Sequence, residues 1–143
     1  MEVKGMVHAL ERARRHLAAD GFLVCIQPHR TRRPMIAVRA PGRRQTICAL
    51  INPVFQPLID SANGAIASFI AGGRASLIRT EHHQYRVRIA NPSQLRPYLS
   101  GGIRPPRFPP GGRRRLLEAW SSREERAWIE VTEYMTVVGL RAR

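Results

Sequence analysis

Between Gly101 and Gly112 the chain reads GGIRPPRFPPGG, four glycines and four prolines in twelve positions. Proline lacks a backbone N–H and glycine adds nothing to a core, so this stretch is expected to run extended or loosely ordered and to act as a linker. It divides the 143 residues into a first part, 1–100, of single-domain length and a basic tail, 113–143. With 43% hydrophobic residues the chain can bury a core without metal or disulfide staples, and disorder throughout is excluded.

Apolar residues recur at helical spacing through Val3, Met6, Val7, Leu10, Ala13 and Leu17, which predicts a helix over 3–19 that stops at Asp20-Gly21. Glu11 is placed to pair with Arg15 one turn on. Phe22 to Ile26 is a continuous apolar run, read as a strand buried on both faces. A basic loop, Gln27 to Pro34, leads to strands over 35–38 and 45–51, joined by a turn from Ala40 to Arg44. Asn52-Pro53 opens a helix that ends at Gly72-Gly73. Short strands follow over 75–80 and 84–90, with a turn at Glu81-His82-His83 between them. The alternation of Tyr85, Val87 and Ile89 with Arg86 and Arg88 predicts an edge strand whose outer face is basic. Asn91-Pro92-Ser93 opens a short helix ending near Leu99. In the tail, 113–120 reads as helix, and Ser121 to Glu125 offers a capping box for another over 122–138, where β-branched content leaves a strand open. The expected fold is α/β, bordering on α+β: an αβββαβ core of about 90–100 residues with a C-terminal helical extension.

Charge sets the expected partner. Lys and Arg number 24 against 10 Asp and Glu, a formal net charge of +14, and Lys4 is the only lysine. Arginine presents a planar fork that grips phosphate oxygens in pairs, so ordered contacts to a phosphate-rich partner are expected. Residues 1–100 carry 15 basic and 5 acidic groups, residues 101–143 carry 9 and 5, so most of the positive field lies in the first hundred residues. Cys25 and Cys48 sit in apolar runs and match no zinc spacing, so they read as reduced core thiols. No apolar run approaches the roughly 20 residues of a membrane span, and the expected compartment is cytoplasmic, with no membrane partner.

Cofactor motifs are missing. His8 and His16 are eight apart, His29 is isolated, and His82-His83 has no cysteine nearby, so no metal is expected. The glycines form no phosphate-cradling loop, and no cofactor is expected. Glu81 to Arg88 holds an acid, two histidines and two arginines, a candidate for metal-free RNA cleavage, but adjacent strand residues point to opposite faces, so His82 and His83 cannot both aim at one phosphate without a bulge.

The stretch from His8 to Asn52, together with the element order, resembles the PD-(D/E)xK, restriction-endonuclease-like nuclease superfamily, and especially its small resolvase-like members. Glu11, Gly21-Phe22, Ile36-Ala37-Val38 and Ile47 to Ile51 fall where that family has a helix glutamate, a GF or GY, a second strand and a third strand. The resemblance covers residues 3 to about 90 by pattern. It implies a metal-binding Asp at or next to Met35 and an ExK at Cys48-Ala49-Leu50 or Ala49-Leu50-Ile51, and no carboxylate or lysine stands there. Magnesium needs hard oxygen ligands, which thioether, thiol and methylene groups do not supply. Glu11 is then the sole survivor of the site, and the resemblance implies a pseudonuclease that binds without cutting. Single domains of that superfamily often act as dimers, so the resemblance leaves a homodimer open.

The expected function is therefore non-catalytic nucleic-acid binding, double-stranded DNA favoured, in a protein of bacterial or phage origin. The candidate contacts are Arg12, Arg15, Arg30, Arg32, Arg33, Arg43, Arg44, Arg104, Arg107, Arg113, Arg114 and Arg115. Nine aromatic residues, mostly at core-like positions, argue against a single-strand stacking platform. Two alternatives stand beside this: a basic accessory subunit or inhibitor that docks on a nucleoprotein complex or an acidic protein, and an enzyme. The enzyme is either a nuclease with relocated acids among Glu11, Asp20, Asp60 and Glu81 or a metal-free RNase using His82 or His83.

Overall fold

The computed structural model describes residues 3–18, 21–52, 56–101 and 105–143. Along the chain run α1 (Val3–Arg15), β1 (Phe22–Pro28), β2 (Met35–Ala40), β3 (Arg43–Ala49), α2 (Gln56–Ala71), β4 (Ala75–Ile89), α3 (Pro92–Ser100), α4 (Gly112–Ser121) and β5 (Trp128–Ala142). The class is α/β, and its strands hydrogen-bond in the order β1-β5-β2-β3, with β4 also paired to β5. Through β4 the element order is the expected αβββαβ. β1 and β2 pair with different stretches of β5, 135–141 and 128–132 respectively, and both pairings are antiparallel.

β5 corrects the expected helix over 122–138. Trp128, Val131, Met135 and Val138 do recur at helical spacing, yet Ile129, Val131, Thr132, Thr136, Val137 and Val138 are residues that a pleated surface packs well, and pairing with three strands decides the contest. The hydroxyls of Ser121 and Ser122 donate backwards to the Glu118 carbonyl at 2.8 and 3.1 Å. They close α4 and open no new helix. β4 is likewise one continuous strand where two strands and a turn at Glu81-His82-His83 are expected.

The chain divides into two units, Met1–Arg30 with Val54–His83 and Met135–Arg143, and Thr31–Pro53 with Gln84–Tyr134. In the first, α1 and α2 pack together over a core of Phe69, Ala75, Val138 and Leu140, with Leu23 and Cys25 against it. Exposure alternates along β1, so Phe22, Val24 and Ile26 are exposed while Leu23 and Cys25 turn inward. That corrects the strand buried on both faces: five consecutive apolar residues carry no period from which a covered side can be read. Glu11 Oε1 lies 2.9 Å from Arg74 Nε, and this pair replaces the expected Glu11–Arg15 contact.

In the second unit, Ile36, Val38, Cys48, Leu50, Ile89, Ile129 and Val131 pack under Leu95 of α3 and Leu116 and Ala119 of α4. Asn91 caps α3, its side chain accepting from the Gln94 N–H at 3.1 Å, with Pro92 following as expected. Cys25 and Cys48 are both free thiols, and burial raises the pKa of each, Arg115 opposing the rise at Cys48. The proline-rich stretch does not stand off this core. Arg107 and Ile51 exchange backbone hydrogen bonds at 2.7 and 2.8 Å, Phe108 packs on the core, and Gly112 is buried. Gly111 adopts φ 70, a left-handed conformation glycine reaches without strain, and turns the chain into α4. Among the described residues, no helix is long and apolar enough to cross a membrane. The Asn52-Pro53 helix start, Asp20 and Arg104 lie partly or wholly outside the described residues.

Candidate nucleic-acid interface

In the second unit the helices cover one face of the strands, and arginines gather on the other. Arg39 pairs in register with Trp128 and with Arg44, and Ala37 with Glu130 and Thr46. Residues directly opposite in an antiparallel pair share a face. Arg39, Arg44, Thr46, Trp128 and Glu130 therefore stand together, opposite the side of Val38, Ile129 and Val131.

Glu130 organises this face. Its side chain is 6% exposed, and it meets Arg44 Nε at 3.0 Å, Arg39 Nη1 at 3.4 Å and Arg86 Nε at 4.0 Å. One carboxylate held by guanidiniums from β2, β3 and β4 neutralises a single charge and fixes three forks. Arg44 also donates through Nη1 to the Thr46 hydroxyl at 2.8 Å. The other two arginines lie over aromatic rings. Arg88 Cζ sits 4.3 Å from the Trp128 ring centroid, and Arg32 Cζ 5.6 Å from that of Tyr134. Such cation–π contacts contribute about 0.5–1 kcal/mol at exposed sites and hold a flexible side chain flat. Five guanidiniums and one carboxylate leave this cluster with a net charge of +4.

Of the arginines expected from sequence, the fold brings only Arg32 and Arg44 into this cluster. Arg33 is exposed beside Arg32, and Arg43, the first residue of β3, lies 4.0 Å from Glu124. Arg12 and Arg15 are exposed on α1, and Arg30 pairs with Asp60 at 3.0 Å; all three belong to the first unit. Arg107 is exposed beside Ile51, and Arg113, Arg114 and Arg115 are exposed in the first turn of α4, with Arg114 3.5 Å from Glu118. Arg104 lies outside the described residues. The expected set lacks Arg39, which lies inside a strand sequence, Arg86 and Arg88, read only as the basic outer face of a strand, and Trp128 and Tyr134, placed on a helix. Arg86 and Arg88 are exposed on β4, where their alternation with Val87 and Ile89 places them.

The positions where the nuclease resemblance expects metal ligands are apolar. Met35 pairs with Ala49, and Ile36 with Cys48, which is packed in the core. Among the described residues no group of three or more His, Cys, Asp and Glu side chains could hold a metal ion. His82 and His83 engage different partners, Thr136 Oγ1 and Glu81 Oε2, each at 3.2 Å. Comparison of the chain with known protein families, with curated proteins and with solved structures returns no match.

Proposed function

We propose that this chain binds nucleic acid, double-stranded DNA by preference, by gripping the phosphate backbone without cutting it. The observation that carries the reading is the arginine face of the second unit, with Arg32, Arg39, Arg44, Arg86 and Arg88 each held by Glu130 or by an aromatic ring. Prefixed guanidiniums lose less side-chain freedom on meeting a phosphate than free ones do. The backbones of four strands at about 4.8 Å spacing span about 14 Å, and Arg39, Arg44 and Arg86 converge from them on Glu130, so the face offers one dense cationic patch flanked by Arg88 and Arg32. Trp128 carries a guanidinium on its ring instead of offering it to bases, which favours a duplex over a stacked single strand. On this reading a pseudonuclease core retains its substrate and not its metal chemistry.

The test is a salt series with labelled duplex DNA, single-stranded DNA and duplex RNA, repeated with magnesium and read on a denaturing gel. Five phosphate contacts predict a slope of log K against log salt of about −4 to −5, with intact strands. A slope near zero sinks the reading, and magnesium-dependent cleavage replaces it with a nuclease.

A second reading has its own observation. In the second unit a groove of about 490 Å³ runs between α3 and α4, with Leu95, Leu99 and Phe108 along it and Arg96 and Arg113 at its sides. Charge complementarity fits it to an acidic amphipathic helix of a protein partner. Reversing Arg96 and Arg113 to glutamate would abolish capture of such a helix while leaving the salt slope on DNA within one contact of its value.

A further inference from the structure

The first unit holds a cleft of about 310 Å³ that the arginine face does not involve. His29 and Arg30 follow the end of β1, and His82 lies on β4; far apart in sequence, they line one wall. The His29 and His82 ring centroids are 4.7 Å apart at an interplanar angle of 54°. Each anchoring contact runs to another element. His82 Nδ1 is 3.2 Å from the hydroxyl of Thr136, which is 6% exposed, so the ring is fixed and its Nε2 edge is directed away from that bond. Arg30 donates through Nε to Asp60 Oδ1 at 3.0 Å, which uses one edge of the guanidinium and leaves Nη atoms for another acceptor. Gln27 Nε2 donates to Asn63 Oδ1 at 2.8 Å and ties the end of β1 to α2. Ile66 and Ile70 of α2 form the apolar floor.

We propose that this cleft binds a phosphate ester of mononucleotide size, with the phosphate on Arg30, His29 and His82 and the base over Ile66 and Ile70. The polar wall is rich in donors, and Asp60, the nearby carboxylate, is engaged by Arg30, so an anion is favoured over a cation. Two imidazoles fall short of the three protein ligands a catalytic zinc takes, and Arg30 repels a divalent ion. The volume is at the small end of the ~300–1,000 Å³ range of ligand sites, which suits one nucleotide and not two. Orienting partners on α2 and β5 supply the rigid support that a specific site needs. Two sources carry this chemistry, a free nucleoside monophosphate and the 5′-phosphorylated end of a strand.

Calorimetric titration of the full chain with adenosine 5′-monophosphate, adenosine, inorganic phosphate and zinc chloride tests it. Saturable binding of the monophosphate is expected, at least tenfold tighter than adenosine or phosphate, and at least tenfold weaker in both His82→Gln and Arg30→Gln. Arg126→Gln, an exposed substitution that removes the same charge, should leave the affinity within twofold. Circular dichroism of each variant checks the fold, and Arg30, 67% exposed, is the variant least able to perturb it. Competition by a 5′-phosphorylated but not a 5′-hydroxyl oligonucleotide assigns the site to strand ends; no competition by either assigns it to the free nucleotide. The proposal is overturned if the monophosphate fails to saturate, if its affinity survives both His82→Gln and Arg30→Gln, or if zinc alone saturates the cleft.

Discussion

Arg44 Nε stands 3.0 Å from Oε1 of Glu130, a carboxylate 6% exposed, on the next strand but one. The same carboxylate faces Arg39 and Arg86, so it positions three cations while cancelling the charge of one. Glu130→Gln keeps the shape and removes the charge. Stability should fall by about 1.5–3 kcal/mol, the range for hydrogen bonds to charged groups, as read by urea denaturation. Affinity for duplex DNA should hold or rise, because the face gains a net positive charge. Loss of duplex binding with stability intact would instead mean that holding Arg39, Arg44 and Arg86 in place matters more to affinity than the added charge.

Arg88 and Arg12 separate the arginine face from the rest of the positive surface. Arg88 lies over Trp128, whereas Arg12 is exposed on α1 in the first unit. Arg88→Ala should shorten the salt slope by about 0.9, the value of one phosphate contact on duplex DNA. It should also shift Trp128 fluorescence to the red as water replaces the guanidinium. Arg12→Ala should change neither quantity. Equal effects of the two substitutions on the slope would mean that the charge acts as a diffuse coat.

The outcome at these arginines shows how far the sequence alone reaches. α1 and α2 are legible from apolar period and α3 from its Asn91 cap, α4 reads as helix over 113–120, and the basic face of Arg86 and Arg88 follows from alternation along β4. β1 misled because an unbroken apolar run has no phase, and β5 because Trp128, Val131, Met135 and Val138 recur at helical spacing although on the strand they fall on both faces. The arginine cluster depends on which strands are neighbours. β5, last in sequence, pairs with β2 and delivers Glu130, Trp128 and Tyr134 to one face, an arrangement no local pattern encodes. His29 and His82 meet for the same reason: β4 and β5 are long strands, and pairing along them carries residues together that spacing along the chain keeps apart.

Tyr98 gives the protein an alkaline limit. Its hydroxyl donates to Glu133 Oε1 at 2.7 Å, and burial first, then that bond and the carboxylate's charge, push its pKa well above the ordinary value of 10.0. A group whose folded pKa exceeds its unfolded one holds its proton better when folded. The contribution is therefore fully present below about pH 10 and is lost as pH rises through the folded value. Urea midpoints measured from pH 8 to 11 should fall above about pH 10, and Tyr98→Phe should flatten that fall while lowering the midpoint at pH 8. A Tyr98→Phe curve parallel to that of the parent protein would place the alkaline titration at another group.

Gly112 and Gly101 bracket the proline-rich stretch and distinguish an ordered segment from a free linker. A Cβ at Gly112 would stand 3.0 Å from Pro109 Cδ and 3.2 Å from Cys48 Sγ, atoms of a stiff ring and of a buried core side chain. Neither can yield without moving β3 or the Phe108-Pro109 backbone that packs beside it. At Gly101 the nearest atoms to such a Cβ are carbonyl oxygens at 3.6 and 3.7 Å, ordinary contact, and the backbone has φ −68. Gly112→Ala should therefore cost about 1–3 kcal/mol, the usual range for overpacking. Gly101→Ala should leave stability within about 0.5 kcal/mol, as exposed substitutions do. Thermal unfolding of the pair decides between the two descriptions, since in a free linker both substitutions would be silent.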